Sequence, residues 1–218
     1  MSDALLERLR AELPVECTVG GLAGRTAGLV IANASATPCA ADGSALVEAD
    51  LPPRTAAALA ESARLARGFL ARRWPVLAFL DGRNAAPLAP ALAWLRNDPD
   101  VALLGKDCAS GFVGAMEAVH HGQHGTFHNR ALDWINAHRL QAVLVAGLST
   151  DVCVMELVLG LLAARAHAML PTLHEVVVVE PATATYDRPG HPADAAHHIA
   201  LHLMAGRGAV IASQVEGL

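Results

Sequence analysis

Lysine is almost missing from this chain: of 16 basic residues, 15 are arginine, and Lys106 is the single lysine. Other absences narrow the field. No apolar run reaches the roughly 20 residues that a membrane-crossing helix needs, because the longest candidate, Val152 to Ala164, is interrupted by Glu156. Cys17, Cys39, Cys108 and Cys153 form no CxxC pair and no disulfide-like spacing, which suits a reducing compartment. The net charge is -5 and the arginines are scattered, so no basic stripe is available for nucleic acid. Neither GxGxxG nor GxxxxGK[ST] stands between a strand and a helix, so dinucleotide and P-loop sites lack their phosphate cradle. No linker, charge run or repeat divides the chain, and residues 1–218 read as one domain. The opening MSDALLERLRAEL mixes acids and arginines in a helical pattern, unlike a secretory leader, and a cytoplasmic protein is expected.

Hydrophobic residues make up 53% of the chain and charged ones 17%, enough for a large core and an apolar subunit interface. A homo-oligomer, dimer or larger, is the expected assembly. Gly28 to Ala32, Val76 to Leu80, Val101 to Leu104, Ala142 to Ala146, Val176 to Glu180 and Ala209 to Ala212 are short, apolar and β-rich. They alternate with helical patterns at Ser2 to Leu13, Pro52 to about Arg73, Asn129 to His138 and Ala193 to Ala205. Such an alternation predicts an α/β fold, a three-layer α/β/α sandwich around a mostly parallel, six-stranded sheet. Residues 35–50 and 84–90 are expected to be loops, and residues 109–128 a lining loop rich in Gly and His.

The run VLVAGLSTDVCVMELVLGLLAARA, Val143 to Ala166, carries the most chemistry. It reads as a buried strand, a turn from Gly147 to Thr150, and an apolar helix with Cys153 in its first turn. The free amides and dipole of a helix start favour a thiolate. They can also hydrogen-bond the oxyanion formed when a thiolate attacks a carbonyl. Free cysteine is equally one of the most buried residue types, so plain packing is the competing account.

Ligands in open parallel sheets bind beyond the carboxyl ends of the strands. Three such ends converge: the Ala32/Asn33 end of the first strand, Lys106 after the third, and the turn to Cys153. A lysine that supports a cysteine, with a third group handling protons, is the layout of an acyl-transfer site.

The strings GLSTDVCV and KDCASGF, and the order of the strands, resemble the isochorismatase-like cysteine hydrolases, a superfamily of nicotinamidases and related amide hydrolases. Residues 97–187 look most like the plant-type nicotinamidase branch. The resemblance implies an aspartate–lysine–cysteine triad in which Cys153 matches the nucleophile and Lys106 the lysine. It also implies a cis peptide at Leu148–Ser149 and oxyanion donors at Ser149 and Cys153. The implied activity is cleavage of a C–N bond in a small amide; the alternative is a catalytically silent homologue that binds a small molecule or serves as an assembly subunit.

Two departures from that pattern stand out. The relatives end their first strand on aspartate, whereas this chain reads GLVIANAS, putting Ala32 or Asn33 at that place. Asn33 can orient a group but cannot hold a proton at neutral pH. Where nicotinamidases carry a DxH metal motif, this chain has Asp81, Gly82 and Arg83, and arginine is no ligand for a divalent cation. No metal and no other cofactor is expected, which removes the site that would hold a pyridine nitrogen. His120, His121, His124 and His128 match no ligand spacing. His197, His198 and His202 lack an HExxH glutamate and read as surface or interface residues. Tyr186 and Asp187 read as structural or as a subunit contact. A small molecule is the expected ligand.

Overall fold

The computed structural model describes residues 3–35, 51–82, 87–121 and 124–218, with the side chains at 120, 121 and 124 set aside. Cys39, most of the loop expected up to Asp50, Arg83 and residues 84–86 lie outside the described residues, and so do the side chains of His120, His121 and His124.

In chain order, α1 (Asp3–Glu12) is followed by β1 (Cys17–Gly20), β2 (Ala27–Ile31), α2 (Pro53–Ala71), β3 (Val76–Asp81), a 3-10 helix (Pro90–Asn97) and β4 (Val101–Lys106). A single turn, α3 (Gly111–Gly114), leads to β5 (Met116–His121), β6 (His124–Asn129) and α4 (Arg130–Ala137). Then come β7 (Ala142–Leu148), a wide π-helical turn (Thr150–Val154), α5 (Met155–Ala166), β8 (Glu175–Ala184), α6 (Ala193–Gly206) and β9 (Val210–Val215).

Seven of these strands form one parallel sheet in the order β1-β9-β8-β7-β2-β3-β4. Alternate residues of each strand enter opposite cores, as the period of two requires. Leu29, Ile31, Ala78 and Leu80 pack with α2 and the 3-10 helix, through residues such as Leu59, Phe69 and Leu92. Val30, Leu77 and Phe79 pack on the other side with α4, α5 and α6, through Ile135, Leu157 and Leu201. That makes three layers. Among the described residues, no helix is long and apolar enough to cross a membrane.

The expected sheet of six strands is one short. β1 escapes sequence reading because three of its four residues are exposed, so CTVG makes no apolar run. The stretch read as a lining loop contains an antiparallel hairpin, β5 and β6, with Met116 opposite Asn129. Asn129 also starts α4, where its side chain accepts hydrogen bonds from the Ala131 and Leu132 amides, a standard N-cap.

The topology decides where a ligand can sit. The chain builds outward from β2 to β3 and β4, then returns to the far side of β2 with β7 and builds outward to β8 and β9. Strand order reverses between β2 and β7, and the crevice at such a switch point opens at the carboxyl ends.

Candidate active site

Gly147 ends the straight part of β7 at φ +108, a conformation that side-chain-bearing residues rarely adopt. A Cβ there would lie 3.1 Å from the Ala32 amide nitrogen and 3.2 Å from the Asn33 nitrogen and oxygen. Glycine thus lets the ends of β7 and β2 touch. The Leu148–Ser149 peptide that follows is cis. The chain then enters the π-helical turn, where the amides of Val152 and Val154 both donate to the Ser149 carbonyl. Cys153 lies inside this turn and not in a regular α-helix as expected; α5 begins two residues later, and such wide turns recur at functional sites.

Cys153 is buried, and Lys106 reaches it from β4, Nζ to Sγ 3.8 Å. Lys106 is itself only 2% exposed, so a charge has been placed inside the core and needs a partner. The partner is Asp81. It lies opposite Lys106 in the β3/β4 register, and the Lys106 ammonium donates to its Oδ1. The Cys108 carbonyl accepts a further bond from Nζ at 3.2 Å. The Asn33 Nδ2 donates to Asp81 Oδ2 at 2.9 Å, while Asn33 Oδ1 accepts from the Ser35 amide at 3.0 Å. Ser35 Oγ accepts from the Asp81 amide at 2.8 Å. Asn33, Asp81, Lys106, Ser149 and Cys153 all line one cavity of about 580 Å³, together with Tyr186 and Arg188. Ala32 instead is buried among the residues around α5, in the cluster that includes Cys153.

Asp81, which the sequence places only at the position of the metal motif, is in the structure the ion-pair partner of Lys106. Two parallel strands of equal apolar length ending in Asp and Lys were the available signal.

Lys106 depends on a neighbour with no side chain. A Cβ on Gly114 would fall 2.6 Å from the Lys106 Cβ and 3.1 Å from its Cα. Gly114→Ala is therefore expected to displace the lysine and reduce turnover at least tenfold, with kcat falling more than KM rises, as steady-state kinetics would show.

The electrostatics of the thiol run opposite to the expectation of an activated thiolate. Burial pushes the Cys153 thiol above its ordinary value and outweighs the downward pull of Lys106 and of a hydrogen bond from the Ser149 backbone. Asp81 and Glu156 push it further up. The resting group at neutral pH is thus the neutral thiol, and attack on a carbonyl needs a base.

Both Asp81 oxygens are engaged, one by an ammonium and one by an amide. Among the described residues, no group of three His, Cys, Asp or Glu side chains is placed to hold a metal ion.

The α6 histidines differ from the expected surface set. His197 is 4% exposed, with Nδ1 2.8 Å from Thr150 Oγ1 and Nε2 3.3 Å from Glu180 Oε1. The imidazole bridges Thr150 and Glu180 and so ties the π-helical turn to β8. His198 and His202 contact the Leu13 and Pro14 carbonyls and pin the segment after α1. The turn has a second tether, since His191 Nε2 lies 2.5 Å from Asp151 Oδ2 and its Nδ1 3.1 Å from the Tyr186 carbonyl. Tyr186 lines the cavity, and Asp187 accepts from the Ala193 amide at the start of α6.

The hydrogen bond from His197 holds the Glu180 carboxyl below its usual value, helped by the charges of His197, Arg54 and Arg10 and opposed by burial. A depressed carboxyl pKa adds stability above the unfolded value of about 4.3, and that stability is lost as pH falls toward the folded value. The difference in melting temperature between wild type and Glu180→Gln should therefore be full at neutral pH and close under acid.

A buried cysteine and a buried lysine thus meet at the carboxyl edge of the parallel sheet of an α/β protein, and both line one cavity. Residues 45–216 match the isochorismatase domain. The chain is 30% identical over 244 residues to Nicotinamidase 1 of Arabidopsis thaliana, across 98% of this chain and 97% of that one. It belongs to the isochorismatase family. A nicotinamidase from Staphylococcus aureus shares the fold at a TM-score of 0.60 and 14% identity, over 87% of this chain and 99% of that chain. So does an N-carbamoylsarcosine amidase from Thermoplasma acidophilum, at 0.57 and 16%, over 88% and 99%.

Proposed function

We propose that this protein hydrolyses a C–N bond in a small amide. The observation that carries the reading is the Lys106 ammonium, held between Cys153 Sγ at 3.8 Å and the Asp81 carboxylate at the wall of a cavity large enough for a small molecule. A buried cation beside a cysteine stabilises the thiolate as it forms. In this reading the Cys153 sulfur attacks the amide carbon, and the carbonyl oxygen takes up negative charge facing the backbone amides of Ser149 and Cys153. The C–N bond breaks, the amine departs with a proton, and water cleaves the remaining thioester to a carboxylic acid. Asn33 acts on this chemistry by holding Asp81 in place.

The Arabidopsis relative supports an amide substrate, and nicotinamide belongs in any panel. The reading does not commit to nicotinamide, because the residues present do not fit the metal motif expected of nicotinamidases. Self-association belongs to the same reading, with Val113, Met116 and Phe127 offering exposed apolar surface on α3 and the hairpin.

The test is ammonia release from nicotinamide and a set of small aliphatic and carbamoyl amides, measured for wild type and Cys153→Ala side by side. Release by wild type alone is the expected result. Equal release by both proteins would take the chemistry away from Cys153, and none from any amide would favour a ligand-binding homologue without turnover.

A further inference from the structure

The geometry points to Asp81 as the group that carries the proton through the reaction, in place of the carboxylate missing from the end of β2. This inference rests on the amidase reading and deepens it. A hydrolase of this kind must move one proton from the thiol to the leaving nitrogen, and a second from water to the departing sulfur. Asn33 cannot serve, since an amide has no basic oxygen at neutral pH. Among the described side chains lining the cavity, Asp81 is the carboxylate in direct contact with the lysine that touches the nucleophile.

The contacts around Asp81 fit that duty. Lys106 stands between donor and acceptor, so a proton can pass without the thiol and the carboxylate meeting. One Lys106 N–H proton shifts to Asp81 Oδ1 as Nζ takes the thiol proton. The S–H bond is lost, an O–H bond forms, and the lysine stays an ammonium. Sulfur then bonds to the amide carbon. When the tetrahedral species collapses, the proton on Asp81 returns along the same path to the nitrogen, the C–N bond breaks, and the amine leaves. Water next attacks the thioester carbon and gives its proton to Asp81. The C–S bond breaks, the acid departs, and Asp81 hands the proton back to sulfur. One amide and one water become one acid and one amine, with every group restored.

Two further observations favour this assignment. Asp81 reaches the cavity with a side chain 34% exposed, so water can approach it, whereas Lys106 is sealed behind it. Burial, which outweighs the pull of Lys106, leaves Cys153 as a thiol at rest, so a base is required and a preformed thiolate cannot replace it. Asn33 then acquires a purpose: its amide donates to the Asp81 oxygen that the lysine does not hold, fixing the carboxylate without adding a second negative charge.

The experiment uses p-nitrophenyl acetate, whose leaving group departs without needing a proton and so separates acylation from deacylation. Wild type should show a burst of about one nitrophenolate per chain, absent in Cys153→Ala, followed by steady turnover. Asp81→Asn should keep a burst of about one nitrophenolate per chain but slow both the burst rate and steady turnover by roughly 10²- to 10⁴-fold, the usual share of a general base, because the thiol must lose its proton before it attacks and water must lose one before it clears the thioester. Asp81→Glu should recover at least tenfold over Asp81→Asn, because it restores a carboxylate. Melting curves of all variants check that the fold is intact. Steady turnover unchanged in Asp81→Asn, or a wild-type acyl-enzyme that water does not clear, overturns the role of Asp81. A glutamate variant no faster than the amide variant in burst rate and in steady turnover, with both proteins folded, reduces Asp81 to a structural support for Lys106 and also overturns it. A burst that persists in Cys153→Ala, or no burst from any folded variant, instead overturns the cysteine hydrolase reading beneath it.

Discussion

Replacing Lys106 by methionine should lower amide turnover by roughly 10²- to 10⁴-fold while leaving a folded protein. Methionine keeps the length and apolar stem of the side chain, so the packing around β4 changes little. What disappears is the ammonium that faces Cys153 and Asp81 at once. Lys106 is the strongest influence lowering the thiol pKa, so its loss drives Cys153 further toward the neutral thiol. Asp81 loses its cation at the same time. Removing one member of a fully buried ion pair costs about 3–5 kcal/mol, but Asp81 is partly exposed to the cavity and water can replace much of what it loses. Activity should therefore fall far more than stability, a split that steady-state kinetics and melting curves measure together. Arginine should not rescue the variant, because its planar guanidinium is a poor substitute for a compact ammonium held at once by Asp81, the Cys108 carbonyl and Cys153 Sγ.

Cys153→Ala should have the largest effect of all, taking ammonia release down to the rate without protein. The side chain is small and lies in a turn held by other contacts, Ser149 to Val154 and His197 to Thr150. The fold should thus survive its loss, and a melting temperature close to wild type would show that the missing activity is chemical. The same substitution removes any adduct with a thiol reagent at this site. Alkylation of Cys153 in wild type, followed in a background where Cys17, Cys39 and Cys108 are serine, should rise mainly on the alkaline side of an ordinary thiol. That is the sign of a pKa raised by burial.

Much of this arrangement is legible in the sequence because it depends on short-range pattern. Val143 to Ala146 is a buried strand run, glycine follows it, and an apolar helix follows the glycine, so Cys153 has one plausible address. Lys106 is conspicuous as the chain's single lysine at the end of another apolar run. The partner of that lysine is harder to read. Asp81 and Asn33 are 48 positions apart and meet only because β2 and β3 pair in one register, with Ile31 beside Ala78. Nothing local in either segment announces the contact.

The misread features have the same origin. His197 sits on α6 with two other histidines, and spacing cannot tell which of them faces the π-helical turn; only packing against Thr150 and Glu180 does so. The thiol pKa was expected to fall on the strength of the helix start, yet desolvation, which depends on the whole fold, outweighs that local influence. β1 was missed because its edge position lets polar residues form a strand, and the hairpin because its residues were read by composition and not by alternation.

Covalent catalysis at Cys153 is tested most directly by the intact mass of the protein quenched with acid during turnover of an amide it cleaves. The account predicts a mass gain equal to the acyl group, located by peptide mapping to the segment holding Cys153 and absent in Cys153→Ala. Continued ammonia release with no acyl adduct, from wild type and Cys153→Ala alike, would contradict it.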